Sequence, residues 1–138
     1  MSWEEINSDE FEGKVLSTGG VCLIPVGCLE RHAHHLPLGT DMLVARALCE
    51  QAAALEEAIV FKDFYFTQIL EARHYPGAFG LEPHLILDLL EATCREIARN
   101  GLKKIILVNA HGGNHHFLRF FAQGQLASRR DYVVYVTG

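Results

Sequence analysis

The sequence has no apolar run long enough to span a bilayer, and its first residues are acidic rather than apolar. We therefore expect neither a membrane partner nor an N-terminal signal peptide. Basic residues are also few: 12 Lys and Arg stand against 17 Asp and Glu, which gives a formal net charge of −5. Because phosphate binding depends on clustered Lys and Arg, this balance argues against a nucleic-acid partner.

Cysteines are few, and none of the four forms a C-x-x-C pair. This pattern is typical of small buried thiols in a protein of the reducing cytoplasm. Cys28 differs from the others because it stands two residues before Glu30. It could be a peripheral metal ligand, although a structural thiol is the simpler interpretation.

The chain also lacks repeats, low-complexity segments and linkers, so we expect a single domain over residues 1–138. Four apolar runs are typical of strands buried on both faces of a parallel sheet. They lie at Val21–Val26, 59–66, 105–108 and 132–136. Helical spacing follows the first three runs, at about 40–55, 83–100 and 114–128. This order predicts an α/β fold with a mostly parallel central sheet and helices on both faces.

Chemically reactive side chains are concentrated in the loops after the first and third strands. The first loop, residues 26–41, holds Glu30, three histidines and Asp41, and the second loop, residues 109–114, holds His111. In parallel α/β proteins, sites form outside the carboxyl ends of the strands. We therefore expect the two loops to meet at one edge of the sheet.

Two carboxylates and two imidazoles in these loops suit zinc, manganese or another divalent first-row ion such as iron. They belong to Glu30, His32, Asp41 and His111. The two oxygens of Asp41 could each bind one ion, and two ions about 3.5–4 Å apart would activate a shared water and polarise a carbonyl. Simpler interpretations exist, since loop histidines are commonly solvated and Thr40 or Asp41 could be the helix N-cap.

The other histidines have different interpretations. We expect His35 to support the site without ligating, and His74 could line a pocket. The remaining ones are expected in loop, surface or supporting positions: His34, His84, His115 and His116.

Three motifs resemble those of the creatininase (creatinine amidohydrolase) family. The first is ERH at 30–32 followed by HLPLGTD at 35–41, and the second is NAHGGN at 109–114. The turn PG at 76–77, with His74 ahead of it, is similar to the middle segment of that family. The resemblance extends over nearly the whole chain.

This resemblance implies a three-layer α/β/α fold, a site with two metal ions and assembly into homohexamers. It also implies hydrolysis of a small-molecule substrate at a cyclic amide or related non-peptide C–N bond. By resemblance, Asp41 would bridge the ions, His32 would serve one ion, and Glu30 and His111 would serve the other. Apart from the resemblance, Glu30 or a residue that this chain lacks could shuttle the proton during catalysis.

The sequence departs from the family pattern in three respects. The usual Gly-Pro between the positions of His32 and His35 is Ala33-His34 here. Some members carry a Glu two residues after the histidine of the second motif, where this chain has Gly113. Family chains also continue further and many supply another Glu ligand and a base from that part, so we expect the domain to be incomplete at its C-terminus.

Three functions remain open from the sequence. The first is a metal-dependent amidohydrolase of the creatininase type. The second is a formamide or peptide hydrolase of the same family, with the same ligands and a different pocket. The third is a truncated, catalytically silent domain that acts in assembly.

Overall fold

One sheet of four parallel strands forms the centre of the computed structural model, which describes residues 1–138. In chain order the strands are β1 (Val21–Val26), β2 (Ile59–Val60), β3 (Lys104–Asn109) and β4 (Val133–Thr137). Their order across the sheet is β2-β1-β3-β4. Because β1 and β3 are neighbours, with Val26 paired to Asn109, the two site loops leave the sheet side by side.

Four α-helices pack on this sheet, and none of them is both long and apolar enough to cross a bilayer. They are α1 (Ser8–Ser17), α2 (Thr40–Leu55), α3 (Pro83–Arg99) and α4 (His115–Gly124). Short 3₁₀ turns occupy Trp3–Glu5, Gly112–Asn114 and Gln125–Ala127. The last helix is therefore shorter than predicted, since it ends at Gly124 rather than near residue 128.

Successive residues of β1 face two different helix layers. Cys22, Ile24 and Val26 lie in one core cluster together with residues of α3 and α4. Leu23 lies in a second cluster with Cys49 of α2. Because strand side chains alternate between faces, this continuous apolar run is buried on both sides. The three-layer α/β/α fold predicted from the sequence is confirmed.

The prediction that the second strand extends to residue 66 is wrong. Beyond Phe61, whose N–H still donates to Leu23, the chain leaves the sheet and returns to β1 at an isolated bridge between Phe64 and Val26. Pro25 of β1 explains this interruption, because proline has no N–H to donate to a neighbouring strand. Its carbonyl still accepts the N–H of Phe64 at 2.9 Å.

The predicted N-cap of α2 is also wrong. Gly39 occupies the N-cap position, and no side chain caps the helix. The hydroxyl of Thr40 donates to the carbonyl of Pro37 at 2.7 Å instead. Asp41 lies in the first helical turn and faces the sheet edge, where its carboxylate is available to the site loops.

A close approach between the exit of β1 and α2 requires glycine at position 27. A Cβ on Gly27 would lie 2.6 Å from both the N and the Cα of Met42. The Gly27 N–H donates to Phe64 and its carbonyl accepts the Thr67 hydroxyl, so hydrogen bonds hold this backbone in place. Since Met42 follows Asp41, the same contact sets the position of the Asp41 carboxylate.

We predict that Gly27→Ala lowers the free energy of unfolding by about 1–3 kcal/mol, because the added methyl group forces two backbones apart. Denaturation in guanidinium chloride, followed by circular dichroism, measures this change. Gly13→Ala is the control: no atom lies within 4 Å of a Cβ there, and alanine in the interior of α1 stabilises by about 0.5–1 kcal/mol. A Gly27→Ala protein as stable as the parent would contradict the close approach.

Candidate metal centre

The carboxylate of Asp41 lies between histidines from both loops. Its Oδ1 is 2.8 Å from Nε2 of His32, and its Oδ2 is 2.9 Å from Nδ1 of His111. The thiol of Cys28 also donates to Oδ2, over 3.3 Å. The Asp41 side chain is 12% exposed, so this carboxylate exchanges most of its water for protein partners.

Glu30 adds a second carboxylate to the same place. Its Oε1 lies 3.0 Å from Nδ1 of His111 and 3.8 Å from Nε2 of His32. Its backbone N–H donates to the carbonyl of Leu38, which folds the first loop back on itself. The side chain is 17% exposed, so a small molecule can reach it from solvent.

Backbone contacts orient both histidines. Nδ1 of His32 lies 3.2 Å from the carbonyl of Glu30, and a proton on Nδ1 can be donated there. In that tautomer Nε2 presents a lone pair to Asp41, and a lone pair facing a carboxylate oxygen requires a cation or a proton between them. The Asn109 amide bonds to both the N–H and the carbonyl of His111, which fixes the start of the second loop.

The two carboxylates have no Lys or Arg partner. Every ion pair of Glu30 and Asp41 is with His32 or His111. Two neighbouring carboxylates with little exposure repel each other unless a positive charge is shared between them. A divalent cation would supply that charge.

The donor atoms fit such a cation. Cys28, Glu30, Asp41 and His111 each offer one ligand atom, and these atoms lie within 4.8 Å of one another. Mixed sulfur, nitrogen and oxygen donors suit zinc and other first-row divalent ions. The structure therefore brings together the four residues that the sequence singled out, with His32 at the margin of the tightest group and Cys28 inside it.

The sequence predicted at most a peripheral role for Cys28, although its spacing from Glu30 could have indicated that it lies in the site. Leu29 forms an antiparallel bridge with Phe79, so the backbone is extended there. Residues two apart in an extended segment point the same way, which places Cys28 and Glu30 on one face.

Ala33 stands where the sequence resemblance leads us to expect glycine, and its φ is +54°. This left-handed conformation favours glycine, so alanine is strained there. Beyond it the loop turns outward: His34 contacts Arg31 at 2.8 Å, and His35 is exposed without a hydrogen bond. The expectation that His35 supports the site is wrong, because the turn directs it to solvent.

The remaining histidines lie apart from the carboxylates. His74 is exposed and stacks on Tyr75, with ring centroids 4.1 Å apart. His84 and His116 are exposed on the first turns of α3 and α4, and His115 beside His116 is half-buried. None of these four forms an ion pair with Glu30 or Asp41.

Comparison with known proteins shows related sequences. A sequence profile described as Creatininase, creatinine amidohydrolase, matches residues 4–137. The creatinine amidohydrolase of Pseudomonas putida is 29% identical over 119 residues, which are 83% of this chain and 46% of that protein. The mycofactocin precursor peptide peptidase of Mycolicibacterium smegmatis is 35% identical over 98 residues, which are 67% of this chain and 39% of that protein.

Solved structures of creatininase have the same fold. A manganese form and a mutant of Zn–Zn type each match with a TM-score of 0.85 at 26% identity. Each match covers 99% of this chain and 57% of the solved one. The chain thus spans about half the length of the proteins that it matches.

All four cysteines are buried, and burial raises the pKa of every thiol, to about 12 for Cys49 and Cys94. For Cys28, burial comes first and the Asp41 carboxylate raises the pKa further. Because the thiolate is the reactive form, a raised pKa keeps these thiols unreactive at mildly alkaline pH.

We therefore predict that none of the thiols reacts with DTNB in the native protein, and that all four react in concentrated guanidinium chloride. The absorbance of the released thionitrobenzoate counts the reacting groups. Cys28→Ser should lower the denatured count by one and leave the native count at zero. A thiol that reacts rapidly in the native state and disappears in Cys28→Ser would contradict the protonated, buried state of Cys28.

Proposed function

This chain belongs to the creatininase family, and we propose that it acts as a metal-dependent hydrolase of an amide or related C–N bond. The observation that carries the proposal is the pair of carboxylates facing two imidazoles without a Lys or Arg partner. Such a group is stable when a divalent cation is bound and is costly when it is empty.

We propose two ions, with Asp41 between them. Asp41 directs one oxygen at His32 and the other at His111, which supports a bridging role. His32 would hold one ion, and Glu30 and His111 would hold the other. Zinc and manganese are supported by the creatininase structures with those metals, and iron is chemically compatible with the same donors.

The residues of this chain have distinct roles in the proposed reaction. A bound divalent ion would supply Lewis acidity, which lowers the pKa of water and polarises a carbonyl. Glu30 is partly exposed beside His111, so it can take a proton from the attacking water and return it to the leaving nitrogen. The Cys28 thiol holds Asp41 in place through its hydrogen bond.

A small-molecule amide is the first candidate substrate, and it is supported by the similarity to a creatinine amidohydrolase. A peptide bond is the second candidate, because the precursor peptide peptidase is 35% identical but matches a shorter stretch, 98 residues against 119. The proposed ligands serve both reactions, so the surrounding pocket would decide between them.

Assembly and location are part of the same proposal. We propose a cytoplasmic homo-oligomer, with the hexamer of the family as the first candidate. Helix α2 supports assembly because it exposes Leu43, Val44 and Leu48 on its outer surface, and exposed apolar clusters of this kind commonly mark interfaces.

We predict that the purified chain retains zinc or manganese after dialysis, as measured by inductively coupled plasma mass spectrometry. Asp41→Ala and His111→Ala should lose most of this metal, because each removes a donor and leaves its partner unpaired. His84→Ala is the matched control, since it removes an exposed histidine of α3 and should retain the metal. Unchanged metal content in Asp41→Ala would show that the ions bind elsewhere.

We further predict that the metal-loaded chain hydrolyses one of three amide substrates: creatinine, a formamide, or a short peptide. Product release is followed by chromatography, with the chelated protein as the blank. Turnover that disappears in Glu30→Gln supports the proposed proton shuttle. Stoichiometric metal binding without turnover of any substrate would favour the catalytically silent domain.

A further inference from the structure

One buried nitrogen in the centre has no partner. His111 is 3% exposed, and its Nδ1 faces the oxygens of Asp41 and Glu30, whereas its Nε2 forms no hydrogen bond. A histidine that binds metal through one ring nitrogen usually donates the N–H of the other to a carboxylate or carbonyl. A buried Nε2–H without an acceptor is costly.

The space next to this nitrogen lies over Gly113. A Cβ added to Gly113 would be 2.5 Å from Nε2 of His111, 2.6 Å from Nε2 of Gln68 and 2.7 Å from Oε1 of Glu71. The three atoms therefore surround the same point, although they belong to different parts of the chain. Gln68 and Glu71 come from the segment between β2 and α3, and they fill the room that a side chain at 113 would need.

Gln68 does not accept a hydrogen bond from His111, because the amide atom that lies over Gly113 is its nitrogen, which is a donor. Its Nε2 donates to the carbonyl of Gly113 at 2.8 Å, and its Oε1 accepts the N–H of Leu70 at 2.9 Å. The amide is thus fixed with its nitrogen toward the histidine. Glu71 is different: it is an exposed residue whose Oε1 is an acceptor over Gly113, and its neighbour Arg73 pairs with Glu82 instead.

We propose that Glu71 is a positioning residue: in the metal-bound protein its Oε1 accepts the N–H of Nε2 of His111 and so holds the tautomer with a lone pair on Nδ1. This inference rests on the proposed metal site, because that lone pair is needed only when a cation binds beside Asp41 and Glu30. The Glu71 oxygen borders the space over Gly113 that Nε2 of His111 also borders, whereas the ion would bind at Nδ1, so Glu71 would act through the histidine and not bind the ion.

The tautomer explains why such an acceptor matters. Without a cation, Nδ1 carries a proton toward two carboxylate oxygens at 2.9 and 3.0 Å. When a cation binds at Nδ1, the neutral ring must carry its proton on Nε2 instead. A carboxylate at Nε2 stabilises that form, and glycine at 113 leaves the room for it.

The test measures zinc affinity by competition with a chromophoric chelator. Glu71→Ala should raise the Kd for Zn²⁺ by about 10- to 100-fold, the range for loss of such an outer partner. Glu71→Gln keeps an acceptor oxygen and should recover most of the affinity. Glu57→Ala, which removes another exposed glutamate outside the centre, should leave the Kd unchanged. Circular dichroism confirms that each variant is folded.

A second measurement follows the tautomer directly. In the zinc-loaded protein, nitrogen-15 NMR should show the His111 proton on Nε2, with a slowly exchanging N–H signal. That signal should exchange rapidly with water in Glu71→Ala and slowly again in Glu71→Gln.

Different failures have different meanings. If the unaltered protein binds zinc and Glu71→Ala binds it equally well, the role of Glu71 is wrong and the metal site stands. Loss of one of two bound ions in Glu71→Ala would make Glu71 a ligand and would also overturn the positioning role. If the unaltered protein binds neither zinc nor manganese, both the proposed function and this inference are wrong.

Discussion

The contact of one carboxylate with histidines from two loops is the interaction on which the rest of the site depends. Asp41 lies 2.8 Å from His32 and 2.9 Å from His111, and the two histidines are 79 positions apart in the chain. The fold makes this contact possible because β1 and β3 are adjacent and end in register. The glycine at 27 then lets α2 approach closely enough for Asp41 to reach both rings.

Much of this arrangement could be predicted from the sequence. A continuous apolar run such as Val21–Val26 is typical of a strand buried on both faces, and helical spacing predicted the bounds of α2 at Thr40–Leu55. Polar residues that directly follow two such strands meet at one sheet edge, because that edge is shared. Glu30, His32, Asp41 and His111 were brought together for this reason.

The other features of the fold and site depend on tertiary contacts that leave little pattern in the local sequence. Pro25 interrupts the neighbouring strand, yet its effect falls on residues 61–66, far from it in sequence. Cys28 lies in the centre because the backbone at Leu29 is extended and directs Cys28 and Glu30 to the same side. This extended backbone depends on the bridge between Leu29 and Phe79. Glu71 could not be placed at all, since only the folded chain shows that its carboxylate lies over Gly113.

Family membership and site geometry support different parts of the proposal. The family supplies the class of reaction, and the relatives include a creatinine amidohydrolase and a peptide peptidase. The geometry supports the proposed cation, because two carboxylates with little exposure face two imidazoles and no Lys or Arg. The geometry also explains why glycine stands at 113. The amide of Gln68 and the carboxylate of Glu71 occupy the space that a side chain at this position would need.

The most direct test of a metal centre at Asp41 is anomalous X-ray scattering at the zinc edge from crystals of the zinc-loaded chain. We predict a peak between Asp41 and His111, with ligand distances of about 2.0–2.2 Å to the carboxylate oxygen and the imidazole nitrogen. A map with no anomalous peak at these residues, or with zinc only at exposed histidines such as His84, would contradict it.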